Sequence, residues 1–174
     1  MSISSNISIR MATIDDASIL SAISNGVWLD TYATNGMNAT LAEYMATELS
    51  EKVFRDCLTD RRNYFILAES NHHILGFIQL TVDEPCILKK ESKVEIAKLY
   101  ILRRFQNLGI GKRLIDAGEG FCIHKNYKSL WLSCWCHNHQ AINFYEKQGF
   151  IKVGEVIIKI RDIDSPNIIF CLTF

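Results

Sequence analysis

The sequence predicts a mixed α/β (α+β) fold, a sheet of about seven strands with helices on its faces. Three observations lead there. Two β-rich runs, "NYFILAE" and "ILGFIQLTV", flank the polar turn "SNHH", which is a hairpin signal. Further along, strand-like and helix-like segments alternate, as in β-α-β crossovers. The chain has 174 residues with 48% hydrophobic content, enough for one domain with its own core, assigned here to residues 1–174.

Taken in order, "ISIRMAT" alternates like a strand. Thr13 to Tyr32 reads as a helix, with Thr13, Asp15 and Asp16 as capping and dipole-matching residues. Thr40 to Asp60 reads as one or two helices, and Ser50 before Glu51 is a restart signal. The hairpin follows, then the strand "KVEIAKLYIL". Ile110 to Lys125 is a helix, "SLWLSCW" a strand, and "HQAINFYEKQ" a helix stopped by Gly149. "FIKVGEVIIKI" and "NIIFCLTF" are the last strands. The final one is apolar enough for a buried strand, or for an edge strand able to pair with a second subunit as a homodimer.

Composition narrows the function classes. Lys+Arg 19 balances Asp+Glu 19, which argues against a nucleic-acid partner. No apolar run approaches the roughly 20 residues of a membrane span, and no signal peptide is expected. The expectation is a cytoplasmic protein with six reduced cysteines and no membrane partner.

The stretch "RRFQNLGIGKRLI" gives up side chains at Gly109 and Gly111 just where a helix should begin. Free N–H groups at a helix start carry partial positive charge, and glycines let an anion approach them. Lys112 and Arg113 add to the potential. The spacing is not that of a P-loop, nor of a dinucleotide fingerprint. A tight turn with solvated cations would also explain it.

The block "VEIAKLYILRRFQNLGIGKRL" resembles motif A of the GNAT N-acetyltransferase superfamily, with its [RQ]-x-x-G-x-[GA] loop filled by Gln106, Gly109 and Gly111. "WLSCWCHNHQAINFYEKQGF" resembles that family's second motif, with Asn138, Ala141, Tyr145, Gly149 and Phe150 in place. The likeness is nearest to the PaiA-type spermine/spermidine acetyltransferases, although Val156, Ile158 and Arg161 stand where that branch has histidine, phenylalanine and glycine.

The resemblance implies a twisted, mostly antiparallel sheet, splayed between two central parallel strands. It implies acetyl-CoA as co-substrate, no metal, and a primary amine as acceptor. It assigns the pyrophosphate to Gln106, Asn107, Leu108, Gly109, Ile110, Gly111 and Lys112. It assigns the thioester and pantetheine to main-chain groups of Leu99, Tyr100 and Ile101, with Asn138 near the second strand. Glu95 is the candidate general base, since an alkyl amine with a pKa around 10.4 must lose a proton. An ion pair of Glu95 with Lys93 or Lys98 would be the plainer reading. Tyr145 is the candidate acid for the departing thiolate, beside Phe144.

Other features read plainly. "CWCHNH" offers Cys134, Cys136, His137 and His139, but not in the spacing of a zinc site. His72 and His73 belong to a solvated turn, and Lys89 to Lys93 to an exposed loop. For a polyamine, Asp30 after the first helix, Glu43, Glu48, and Asp162 and Asp164 between the last strands are candidate carboxylates. A protein N-terminus, a lysine side chain or an aminoglycoside is the alternative acceptor. A non-catalytic acyl-CoA-binding module is the alternative class.

Overall fold

The computed structural model describes residues 7–160 and 163–174. In chain order the strands and helices are β1 (Ser8–Met11), α1 (Ala17–Tyr32), α2 (Ala39–Glu48), α3 (Glu51–Thr59), β2 (Asn63–Ser70), β3 (His73–Val82), β4 (Val94–Ile101), α4 (Ile110–His124), β5 (Ser129–Trp135), α5 (His139–Lys147), β6 (Ile151–Ile160) and β7 (Ile163–Thr173). Short 3-10 turns precede α1 and follow β4. The seven strands lie in the order β1-β2-β3-β4-β5-β7-β6. β4 and β5 are parallel, while β1 with β2, β5 with β7, and β6 with β7 are antiparallel. No helix among the described residues is long and apolar enough to cross a membrane.

The chain forms two compact units. Met1–Gln79 and Lys98–Gly118 make the first, and Leu80–Ala97 and Glu119–Phe174 the second.

In the first unit, capping chemistry sets the helix starts. Thr13 and Asp16 form a capping box ahead of α1. Asn38 caps α2 and Ser50 caps α3, each accepting a hydrogen bond from a backbone N–H in the first turn. Phe54 of α3, Phe65 of β2 and Phe77 of β3 meet with ring centroids 6.1 Å apart, and Leu20, Ile23 and Leu67 pack around them. At the rim, the Arg10 guanidinium donates to Asp16 at 2.8 Å and to Glu69 at 2.7 Å. Those bonds hold the Asp16 carboxyl below its usual range. They tie β1 to the start of α1 and to β2. α2 buries none of its residues. It is held through Tyr44, whose ring stacks on Trp28 at 4.2 Å.

In the second unit, Cys86, Trp131, Ile169 and Cys171 form a core on one face of β5 and β7. Ser129 donates to Ser92 at 2.9 Å beneath it, so Ser92 is buried within the otherwise mostly exposed 89–93 segment. Burial pushes the Cys171 thiol up to about 12, with Cys86 adding to the shift.

Of the two readings of the last strand, the buried one holds: β7 lies between β5 and β6, and its Ile169, Phe170 and Cys171 are buried. Two sequence expectations need correction. β7 begins earlier than the apolar run suggests, at Ile163, so Asp164 is in a strand and not in a connection. Pro166 is tolerated there because β5 ends opposite Asn167, where the ladder no longer needs a donor from the next residue. Asp30 lies within α1, not after it. Arg161 and Asp162, named above, lie outside the described residues.

Candidate active site

The first unit carries the glycine loop. β4 ends at Ile101, and Leu102 donates to Leu75 O at 3.0 Å, which fixes where the chain leaves the sheet. The Gln106 side chain turns back and donates to Ile101 O at 3.3 Å, bracing the base of the loop. Asn107 (φ 61°) and Gly109 (φ 77°) then take left-handed conformations. Asparagine is among the few residues that enter that region at low cost. A Cβ on Gly109 would meet nothing within 4 Å, so backbone shape and open approach require glycine there, and crowding does not.

Ile110, Leu114 and Ile115 are buried along the first turns of α4. The donor of the first bond of its ladder is Arg113, whose N–H reaches Gly109 O at 3.2 Å. The N–H groups of Ile110, Gly111 and Lys112 therefore precede the ladder and point out of the helix start. Gly111 is buried in this first turn, while Asn107 and Leu108 are exposed. The nearby cations are engaged within the unit. Lys112 Nζ donates to Asp116 at 2.7 Å, and Arg113 donates to Ile7 O at 3.2 Å.

The last residues of β4 are contacted by α1 and by β3. Tyr100 accepts a hydrogen bond from Trp28 Nε1 at 3.0 Å, and its ring meets Phe77 edge-on at 5.6 Å. From β3, Gly76 comes so close that a Cβ there would lie 2.5 Å from Tyr100 O and 3.0 Å from Ile101 Cα. Lys98 Nζ donates to Gln79 Oε1 at 3.1 Å and lies 5.8 Å from the centroid of the Phe54 ring. Leu99, Tyr100 and Ile101 are half-buried.

The second unit carries Glu95, Asn138 and Tyr145. Asn138 caps α5, its side-chain oxygen accepting from Ala141 N at 3.1 Å, and its own N–H donates to Trp135 O at 2.9 Å. The tyrosine ring of Tyr145 sits among Phe144, Phe150 and Phe170, with centroids 5.4, 5.6 and 6.3 Å away. Gly149 (φ 88°) ends the helix and lets Phe150 donate to Tyr145 O at 3.1 Å.

Glu95 pairs in register with Trp131, which in turn pairs with Cys171. Paired residues share a face of a sheet. Phe170, on which Tyr145 packs, alternates with Cys171 and so faces the other way. Glu95 and Tyr145 thus belong to opposite faces of the sheet.

The cysteine-histidine stretch divides. Cys134 is buried, which pushes its thiol up to about 11, whereas His137 and His139 are exposed. Among the described residues no group of three or more His, Cys, Asp or Glu could hold a metal ion.

The profile of the acetyltransferase (GNAT) family matches residues 28–150, well over half the chain. The chain belongs to the GNAT acetyltransferase family. It is 25% identical over 168 residues to a spermidine N(1)-acetyltransferase of Thermoplasma acidophilum, covering 94% of this chain and 95% of that one. It is 25% identical over 142 residues to an uncharacterised N-acetyltransferase from the pepI 3′ region of Lactobacillus delbrueckii subsp. lactis, covering 81% and 82% of the two chains. Among solved structures, the PaiA N-acetyltransferase of Thermoplasma acidophilum, in complex with coenzyme A, superposes with a TM-score of 0.77 at 20% identity. That match covers 97% of this chain and 99% of the other.

Two residues of this GNAT chain were not singled out by sequence reasoning. Trp28 holds the Tyr100 hydroxyl, and only its place in a helix hinted at burial. Gly76 admits β4 at close range. An isolated glycine inside a strand pattern is the signal that was there to be read.

Proposed function

We propose that this chain transfers the acetyl group of acetyl-CoA to a small primary amine, by direct attack of the amine within a ternary complex, and that residues 1–174 act in this as one acetyltransferase domain. The observation that carries the reading is the family match, which takes in a loop whose helix-start N–H groups precede the helix's own hydrogen-bond ladder. The donor set fits a pyrophosphate: the main-chain N–H groups of Ile110, Gly111 and Lys112, approached over Gly109.

The proposed roles follow from residue chemistry. Glu95 takes the proton of the ammonium, directly or through water, so that the nitrogen lone pair can attack the thioester carbon. A main-chain N–H in Leu99–Ile101 meets the oxygen that gains charge. The C–S bond then breaks, and the Tyr145 hydroxyl supplies the proton to the departing thiolate. Asn138 orients the start of α5 and so the helix that carries Tyr145.

Within the amines, a polyamine is the acceptor we favour. The spermidine acetyltransferase among the relatives supports it. Glu43 and Glu48, on exposed positions of α2, are the carboxylates we assign to the polyamine, while Asp30 on α1 already faces Arg103 at 3.8 Å. The test is thiol release from acetyl-CoA with spermidine and with a neutral-bodied amine, at low and high ionic strength. Spermidine turnover that falls as salt rises is expected, because screening weakens attraction to a polycation. Turnover of the neutral amine alone would remove the polyamine and keep the acetyltransferase. Turnover of no amine would leave an acyl-CoA-binding module.

A further inference from the structure

β6 is the outermost strand next to β7. A strand in that position presents a row of unpaired N–H and C=O groups. Natural edges are usually short, broken by proline or covered. β6 has ten residues and no proline. A bulge between Lys152 and Gly154 interrupts its start, and from Gly154 to Ile160 the register against β7 is regular.

The side chains on this regular segment have a pattern of their own. Glu155, Ile157 and Lys159 share one face, opposite Ile168, Pro166 and Asp164 of β7. All three are exposed, Ile157 to 68%. Gly154, Val156 and Ile158 share the other face and are half-buried. The midpoint of Gly154–Ile160 is Ile157. Glu155 and Lys159 flank it symmetrically with opposite charge.

We propose that β6 is the docking edge for a second copy of this chain, with the two β6 strands pairing antiparallel about a two-fold axis through Ile157. In that register Glu155 faces Lys159 of the second copy, and the relation is repeated by symmetry. Ile157 meets its own counterpart between the two ion pairs. On the other face Val156 meets Ile158, again twice. Existing ion pairs extend the match and do not compete with it. Lys152 is bonded to Glu155, and Lys159 lies 3.9 Å from Asp164. The row across the joint therefore alternates Lys152, Glu155, Lys159 and Asp164. Moving the axis by one residue, to Val156 or Ile158, would set Ile157 against Glu155 or Lys159 and break both ion pairs; the register centred on Ile157 keeps them.

Sedimentation velocity on the purified chain at micromolar concentrations tests this. A dimer is expected. Glu155→Lys and Lys159→Glu should each weaken it about tenfold or more, since each turns two facing ion pairs into like-charge pairs. Mixing the two variants should restore association, because each chain of the mixed pair then offers the charge that the other lacks. The double variant should dimerise with itself. Restored pairing also demonstrates that the single variants are folded. A monomeric parent chain, the result if another protein's strand is the true occupant, would overturn the proposal. So would single variants that dimerise like the parent, or a mixture that stays apart.

Discussion

Gly76 has no side chain, and that absence fixes the position of a strand it does not belong to. A Cβ at that point would press on Tyr100 O at 2.5 Å, against backbone that cannot swing aside. Alanine there must push β4 outward. The cost should be about 1–3 kcal/mol, the usual range for overpacking a filled site. Melting of Gly76→Ala should fall by several degrees, and kcat/KM should fall about tenfold because Leu99–Ile101 is displaced. A variant with the parent's melting temperature and rate would contradict this account of the close approach. The same scale governs Glu95. Register places it beside Trp131, on the face away from Tyr145, so a shared proton path between the two is not expected. Glu95→Gln should lose most rate near neutral pH and recover part of it above about pH 9, where more of an amine with pKa around 10.4 is already unprotonated. A pH–rate profile identical to the parent's would take Glu95 out of the mechanism. Neither point could be read from sequence alone. Pattern shows which residues alternate, but not which strand lies beside them.

At the scale of elements the sequence was informative. Thr13 with Asp16, Ser50 and Asn138 each sit at the helix starts their chemistry favours, because a cap is a local hydrogen bond between near neighbours. The loop before α4 was legible for the same reason, since two glycines around one apolar residue limit the backbone. Legibility stopped at its detail. Asn107 shares the left-handed geometry, and Gln106 braces the loop from below, pointing its amide at Ile101 O. The geometry predicts a graded response at Gly109. Asparagine tolerates positive φ and should cost acetyl-CoA affinity little. Valine, which is strained there by about 1–2 kcal/mol, should lower affinity about tenfold. Titration calorimetry on both folded variants measures this. Equal affinities for the valine and asparagine variants would mean that the loop's backbone shape is not what holds the ligand.

At the scale of the whole molecule, the strand inventory was readable and the strand order was not. Seven segments announce themselves by period and by turns. That the last of them inserts between β5 and β6 depends on partners far apart in sequence, and no local pattern encodes it. The hydrophobic run "NIIFCLTF" gave the nearest hint, because a strand buried on both sides needs apolar residues throughout. The division of the chain into two compact units is hidden for the same reason. β4 passes from one to the other without any break in its composition.

The place of β7 has a consequence for how the protein is made. A ribosome delivers β5 and β6 before β7, yet neither is the other's neighbour in the finished sheet. If β6 annealed to β5 on emerging, it would occupy the slot that β7 needs and would have to be peeled away. The productive route keeps β6 waiting for β7, closes the two as a hairpin, and then docks that hairpin on β5 through its younger strand. Until then the seat of β7 on β5, beside Trp131 and Leu132, has no cover. For that interval the nascent chain exposes an apolar strand edge, a state in which β-rich intermediates are most prone to aggregate.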